Sequence, residues 1–195
     1  MFDMNFRATD LTTSALFYEG ARQGRWTALV QASADLYQKA RRRAWRRRLW
    51  SMVTRQPARL LSLAAMGAPL SQRYIGLRTV RIDQIVGSEN RCGDFDGLFY
   101  PLGIQSRNRW MSVAGARLQG LPLPAVTLIQ VGDVYFVRDG HHRISVAQTL
   151  GQRFIEAEVT EYEVTRPLSK QQVSAQPALK PTFSALAATA AGGAE

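Results

Sequence analysis

Cysteine and histidine are nearly missing from this chain. Of its 195 residues one is cysteine, Cys92, and two are histidine, His141 and His142. A lone cysteine forms no internal disulfide. That sets aside a disulfide-stapled secreted scaffold and fits a reducing compartment. There is no CxxC and no HxxxH, and adjacent histidines are poor joint ligands for one ion, so no metal site is expected. Long apolar runs are missing too. No stretch approaches the roughly 18 consecutive apolar residues of a spanning helix. The opening MFDMNFRATD lacks the basic start and apolar run of a signal peptide. Together these absences predict a cytoplasmic protein.

Acidic residues are scarce beside basic ones, 15 against 25, for a net charge of +10. Such an excess suits polyanionic partners: nucleic acid, an acidic membrane surface, nucleotides. The excess is local. Residues 1–74 hold 13 Lys and Arg against 4 Asp and Glu, while residues 75–165 hold 9 against 10. That asymmetry predicts three parts: a basic helical region (1–74), a compact mixed-sheet domain (75–165) and a disordered tail rich in Ala, Pro, Ser, Thr and Gly (166–195).

Residues 10–65 read as helical, with Thr12 or Thr13 as a cap and Pro57 as an interruption. Within them KARRRAWRRRLW carries Arg41, Arg42, Arg43, Arg46, Arg47 and Arg48. Trp45, Leu49, Met52 and Val53 fall at i, i+4, i+7 and i+8, one apolar stripe on a 3.6-residue period. The six arginines are candidates for DNA phosphate contacts, which give salt-dependent affinity without sequence choice. A basic amphipathic helix lying on anionic lipid is the other reading, and a solvated helix packed through its apolar stripe is the bland one. RLLSLAAM reads as a short further helix, and the stretch from Gly67 to Gly76 as a linker.

From Leu77 the pattern turns to strands. TVRIDQIVG alternates as a short strand, and GSENRCGDFDGLFYPLG reads as loop. RNRWMSVAGARLQG is an amphipathic helix with Trp110, Val113, Ala114 and Leu118 inward, stopped by Gly120. AVTLIQV and VYFVRD form a hairpin about Gly132-Asp133. HHRISVAQTLG is a helix and RFIEAEVTEYEV the last strand.

Both histidines therefore stand at a strand–glycine–helix junction, VYFVRDGHHRISVAQTLG. Such a junction leaves backbone N–H groups unpaired at the helix start, and those donors with the helix dipole attract an anion. Gly140 lets the backbone approach a ligand closely. Arg143 adds a forked, charged donor, and the histidines offer hydrogen bonds or acid–base chemistry. The bland alternative is that Asp139 caps the helix and the histidines satisfy nearby backbone.

The order VRIDQIVGSENR (80–91), DFD (94–96), a helix after Arg109, GLPLPAVTLIQVGDVYFV (120–137) and DGHHRISVAQTLG (139–151) resembles the ParB/sulfiredoxin superfamily, specifically its ParB-like N-terminal domain. The resemblance spans about 85 residues. It implies an α+β fold with a small mixed-sheet domain carrying a strand–DGHHR–helix turn. It also implies a nucleotide with Mg²⁺ at that turn: CTP as in the ParB chromosome-partitioning proteins, or ATP as in sulfiredoxins. The implied phosphate cradle is Asp139, Gly140, His141, His142 and Arg143, with Ser145 nearby and Arg91 from a facing loop. His141 stands where sulfiredoxins carry their reactive cysteine, so that activity is not expected, and Cys92 is no replacement. Glu89 matches the acidic residue of kinase-like relatives, which makes Glu89 and His141 the catalytic candidates. Glu89, Asp94 and Asp96 are candidates for Mg²⁺ or base roles, since oxygen ligands suit Mg²⁺. Three functions follow as expectations: a nucleotide-binding module associating with DNA or a partner through its basic helices; a nucleotide-dependent phosphotransferase or nuclease; or an adaptor that keeps the fold without the ligand.

Overall fold

The computed structural model describes residues 25–54 and 59–164. The helix expected from Thr12, the break at Pro57 and the tail from residue 166 lie outside them. The fold is α+β, an N-terminal helix followed by a six-stranded mixed sheet with two further helices. Helix α1 is Arg25–Thr54. Strand β1 is Leu61–Ser62, β2 is Pro69–Arg81 and β3 is Ile85–Ser88. Helix α2 is Arg107–Leu118, β4 is Val126–Val131, β5 is Val134–Asp139, α3 is His141–Thr149 and β6 is Phe154–Val164.

The sheet order is β1-β3-β5-β4-β6-β2. The pairs β1/β3, β3/β5 and β4/β6 are parallel, and β4/β5 and β2/β6 antiparallel. Both faces are apolar because the strands alternate with a period of two. Val126, Leu128, Val137, Ala157 and Val159 face one side, where Ile144 and Ala147 of α3 and Phe95 and Phe99 of the long loop cover them. Val86, Ile129, Val131, Phe136 and Val164 face the other, where among the described residues the cover is Leu63, helped by the partly buried Leu61 and Met66.

Two sequence readings change here. RLLSLAAM is not an α-helix: Leu61–Ser62 is a strand and Leu63–Met66 a single 3-10 turn. Gly87 admits this, because a Cβ there would stand 2.4 Å from Leu61 O and 2.5 Å from the Phe136 ring. The stretch read as a linker holds most of β2, a sheet edge. Its register slips between Pro69 and Ser71 and between Tyr74 and Gly76, and edge strands tolerate Pro, Gly and bulges where central ones do not. The sheet therefore begins well before residue 75.

The basic helix also shares a core with the sheet domain. Tyr37, Ala40 and Ala44 of α1 cluster with Trp110 and Ala114 of α2 and Val146 of α3. Tyr37 meets Trp110 edge-on at 5.4 Å and donates to Gly103 O at 2.8 Å. The expected stripe of Trp45, Leu49, Met52 and Val53 points outward instead. Alanines face the domain because small side chains let one helix lie close upon two others. In α2, Trp110 and Ala114 are buried as expected, while Leu118 is exposed.

Candidate functional site

Strand β5 ends at Asp139, and α3 starts immediately after Gly140. Gly140 sits at φ 97°, and a Cβ there would stand 2.5 Å from Val126 Cγ1, so only glycine fits. The first intrahelical bond is Ile144 N–H to Gly140 O, 3.0 Å. The preceding amides, those of His141, His142 and Arg143, belong to the first turn, whose donors have no acceptor within a helix. Because β3 runs parallel to β5 with Ser88 opposite Val137, the end of β3 arrives beside this turn.

The side chains of the turn point largely inward: His141, His142 and Arg143 are each over 90% buried, and Ser145 is fully buried. Ser88 Oγ lies 2.7 Å from His141 Nε2. The same oxygen accepts the N–H groups of Asn90 (3.2 Å) and Arg91 (2.9 Å). With both lone pairs used, the hydroxyl hydrogen goes to Nε2, which makes His141 the Nδ1-protonated tautomer. Phe95 stacks on the ring at 5.8 Å. Burial holds the His141 pKa down at about 4, with the positive charge of Arg91 acting in the same direction.

His142 is different. Both its ring nitrogens are buried without a hydrogen-bond partner. Phe95 meets the ring edge-on at 5.4 Å. Burial holds its pKa down at about 4 as well, and the charges of Arg109 and Arg91 add to the effect. Two guanidiniums thus act on this imidazole, one from the loop after β3 and one from the first turn of α2, and both residues are exposed. The sequence pattern marks Arg91 but gives no sign of Arg109, whose place depends on how α2 docks.

Arg143 is engaged. One terminal nitrogen donates to Pro124 O and Ala125 O, both at 2.6 Å, and the other to Asp139 Oδ2 at 2.5 Å. Burial works against its charge and Asp139 offsets that. Ser145 Oγ accepts the Trp110 indole N–H at 2.8 Å, tying α3 to α2. Glu89 is held by Arg138 through both carboxylate oxygens, at 3.1 and 3.3 Å, and Arg138 also donates to Tyr162 OH.

Asp96 is a loop-closing residue. Its Oδ1 accepts the N–H groups of Leu98 (2.9 Å) and Tyr100 (2.8 Å), and its Oδ2 lies 3.2 Å from Arg47 Nε. Burial raises its pKa, and Arg47 and the two amides pull against that. Phe99, inside this tight loop, takes φ 61°, a left-handed conformation unusual for an aromatic residue. Asp94 is exposed and 3.8 Å from Arg91. Of the three acids considered for Mg²⁺, only Asp94 is left with oxygens to offer a nucleotide-held ion. Among the described residues no group of three or more His, Cys, Asp or Glu could hold a metal ion by itself.

The six arginines from Arg41 to Arg48 divide evenly. Arg41 donates to Leu102 O (3.1 Å), Arg43 to Tyr100 OH and Thr149 O (both 3.3 Å), and Arg47 pairs with Asp96. These three fasten the helix to the domain. Arg42, Arg46 and Arg48 are exposed. A cleft of about 500 Å³ opens at the other end of α3, between Arg81, Leu98, Phe99, Gln148 and Arg153, away from the histidine turn. Among the described residues no helix is long and apolar enough to cross a membrane.

The chain is similar to the crystal structure of sulfiredoxin from Arabidopsis thaliana, at 16% identity and a TM-score of 0.32, over 52% of this chain and 96% of that one. No family model and no curated protein matches it.

Proposed function

We propose that the chain is a ParB-like anion-binding module of the ParB/sulfiredoxin superfamily, which takes the phosphates of a nucleotide such as CTP or ATP at the start of α3. The observation that carries this is His142. Buried polar groups are almost always hydrogen-bonded, so an imidazole with two unpartnered nitrogens asks for an external partner. It sits beside the unpaired amides of a helix start, where the dipole favours negative charge, and within the field of Arg91 and Arg109. A phosphate there would accept from the first-turn amides and from Arg91, and from His142 once its buried ring is uncovered, and Asp94 would meet a nucleotide-bound Mg²⁺. Arg143 and His141 then act as supports: Arg143 fixes the turn to Pro124 and Ala125, and His141 ties it to Ser88.

Nothing in the arrangement favours catalysis. Glu89 is neutralised by Arg138, and Ser88, though paired with a histidine, is fully buried and already accepts two backbone amides. The phosphotransferase or nuclease reading therefore falls behind binding. A second reading, an adaptor that retains the fold without the ligand, is favoured by the full engagement of Arg143 and Ser145.

Thermal-shift and calorimetric titration with CTP, ATP and inorganic phosphate separates the two. Binding stabilises the native form in proportion to the logarithm of ligand excess over Kd. Binding of a nucleotide that weakens at least about tenfold in Arg91→Ala and in His142→Phe supports the module. The absence of any shift with all three ligands would establish the adaptor.

A further inference from the structure

The outward face of α1 carries what the core does not use. Trp45, Leu49, Met52 and Val53 form one stripe along the helix, and each is more than half exposed. The docking face lies opposite. Ala40 is buried, and at 3.6 residues per turn Trp45 stands about 140° round the helix from it. Arg42, Arg46 and Arg48, all exposed, border or interrupt the stripe. None of the three forms an ion pair among the described residues. From Arg48 to Val53 no residue is buried, so the end of the helix stands clear of the domain.

A contiguous apolar patch on an exposed helix marks a contact surface. We propose that this end of α1 lies on an anionic lipid surface, with the stripe in the acyl boundary and the arginines at the phosphate headgroups. Charge selects the occupant. A second copy laid against this face would set arginines against arginines, and a like-charge contact of that density opposes association. Duplex DNA would take the arginines but leave a tryptophan, leucine, methionine and valine stripe at the centre of a phosphate contact. An anionic bilayer satisfies both halves, which is how basic amphipathic helices lie in an interface. Arg41, Arg43 and Arg47 keep the helix fixed to the domain, so the surface is presented ready-made.

Co-sedimentation of the full chain with phosphatidylcholine vesicles, with and without phosphatidylglycerol, tests this. Binding is expected only with phosphatidylglycerol present. Replacing Arg42, Arg46 and Arg48 with Gln should lower the partition coefficient about hundredfold. Trp45→Ser with Leu49→Ser should lower it at least about tenfold. These positions are exposed, so circular dichroism and melting should remain those of the parent. In a Trp26→Phe background, emission should shift to the blue on mixing with anionic vesicles, reporting Trp45 and Trp50 against the fully buried Trp110. Equal binding to neutral vesicles, or binding indifferent to Trp45 and Leu49, would overturn the proposal. So would a preference for duplex DNA that survives the serine substitutions, or a dimer that dissociates with them and binds no vesicle.

Discussion

Ser88 Oγ and His141 Nε2 lie 2.7 Å apart, buried, and 53 residues distant in sequence. One hydroxyl thereby closes three things: the end of β3, the backbone of Asn90 and Arg91, and the first residue of α3. The loop that carries Arg91 is set against the helix start by this contact. A site built from Arg91 and His142 inherits its geometry from a serine that no ligand reaches.

Acid should weaken the fold through the histidine pair. Both are held neutral, at about 4 against an ordinary 6.5. The unfolded chain therefore takes up protons first. Stability from this source is constant above about pH 6.5 and falls as pH drops toward 4, by a few kcal/mol in total for the pair. Asp96, whose pKa burial raises, acts in the opposite sense toward the acid end. Urea midpoints measured from pH 7.5 to pH 4.5 check the slope.

His142→Phe should leave stability at pH 7 unchanged or raise it, by up to about 1 kcal/mol, because it removes two buried nitrogens without partners. The same variant should roughly halve the acid slope and lose the nucleotide. A destabilised variant would mean that the imidazole already has a partner within the protein.

Arg143→Ala should cost about 2–4 kcal/mol in urea unfolding, since it leaves Pro124 O and Ala125 O without their donor. Arg143→Lys should recover little, because an ammonium cannot serve two carbonyls and a carboxylate from a planar fork. Recovery by lysine would show that charge, not geometry, is what the turn requires.

Asp96→Ala should cost about 3–5 kcal/mol, stranding two amides and removing the carboxylate beside Arg47. Asp96→Asn keeps an acceptor at Oδ1 and should cost less. A double-mutant cycle with Arg47→Ala should return a coupling of about 1–3 kcal/mol. Additive losses would place Arg47 in solvent rather than on the carboxylate.

Much of the fold is legible in the sequence because its periods are clean. The hairpin about Gly132, the helix after Asp139 and the alternating strand from Phe154 each satisfy a local rule that the sheet also needs. The edge strand from Pro69 is not legible, since Pro, Ser and Gly on an edge look the same as a linker. The docking face of α1 was hidden for another reason. A 3.6-residue period locates two opposite stripes, alanine and large apolar, and cannot say which one the domain covers. At the site, DGHHR is visible as a turn, but the long-range partners of Arg143 and the approach of Arg109 depend on packing that no local pattern encodes.

Among the described residues the sheet's two faces are unequally insulated. One lies under α3 and a folded loop, whereas the other is shielded by a strap a single turn long, centred on Leu63. Water gains entry most cheaply where that strap lifts. Opening is therefore expected behind the sheet first, with Val86 and Phe136 exchanging with solvent before the histidine turn does.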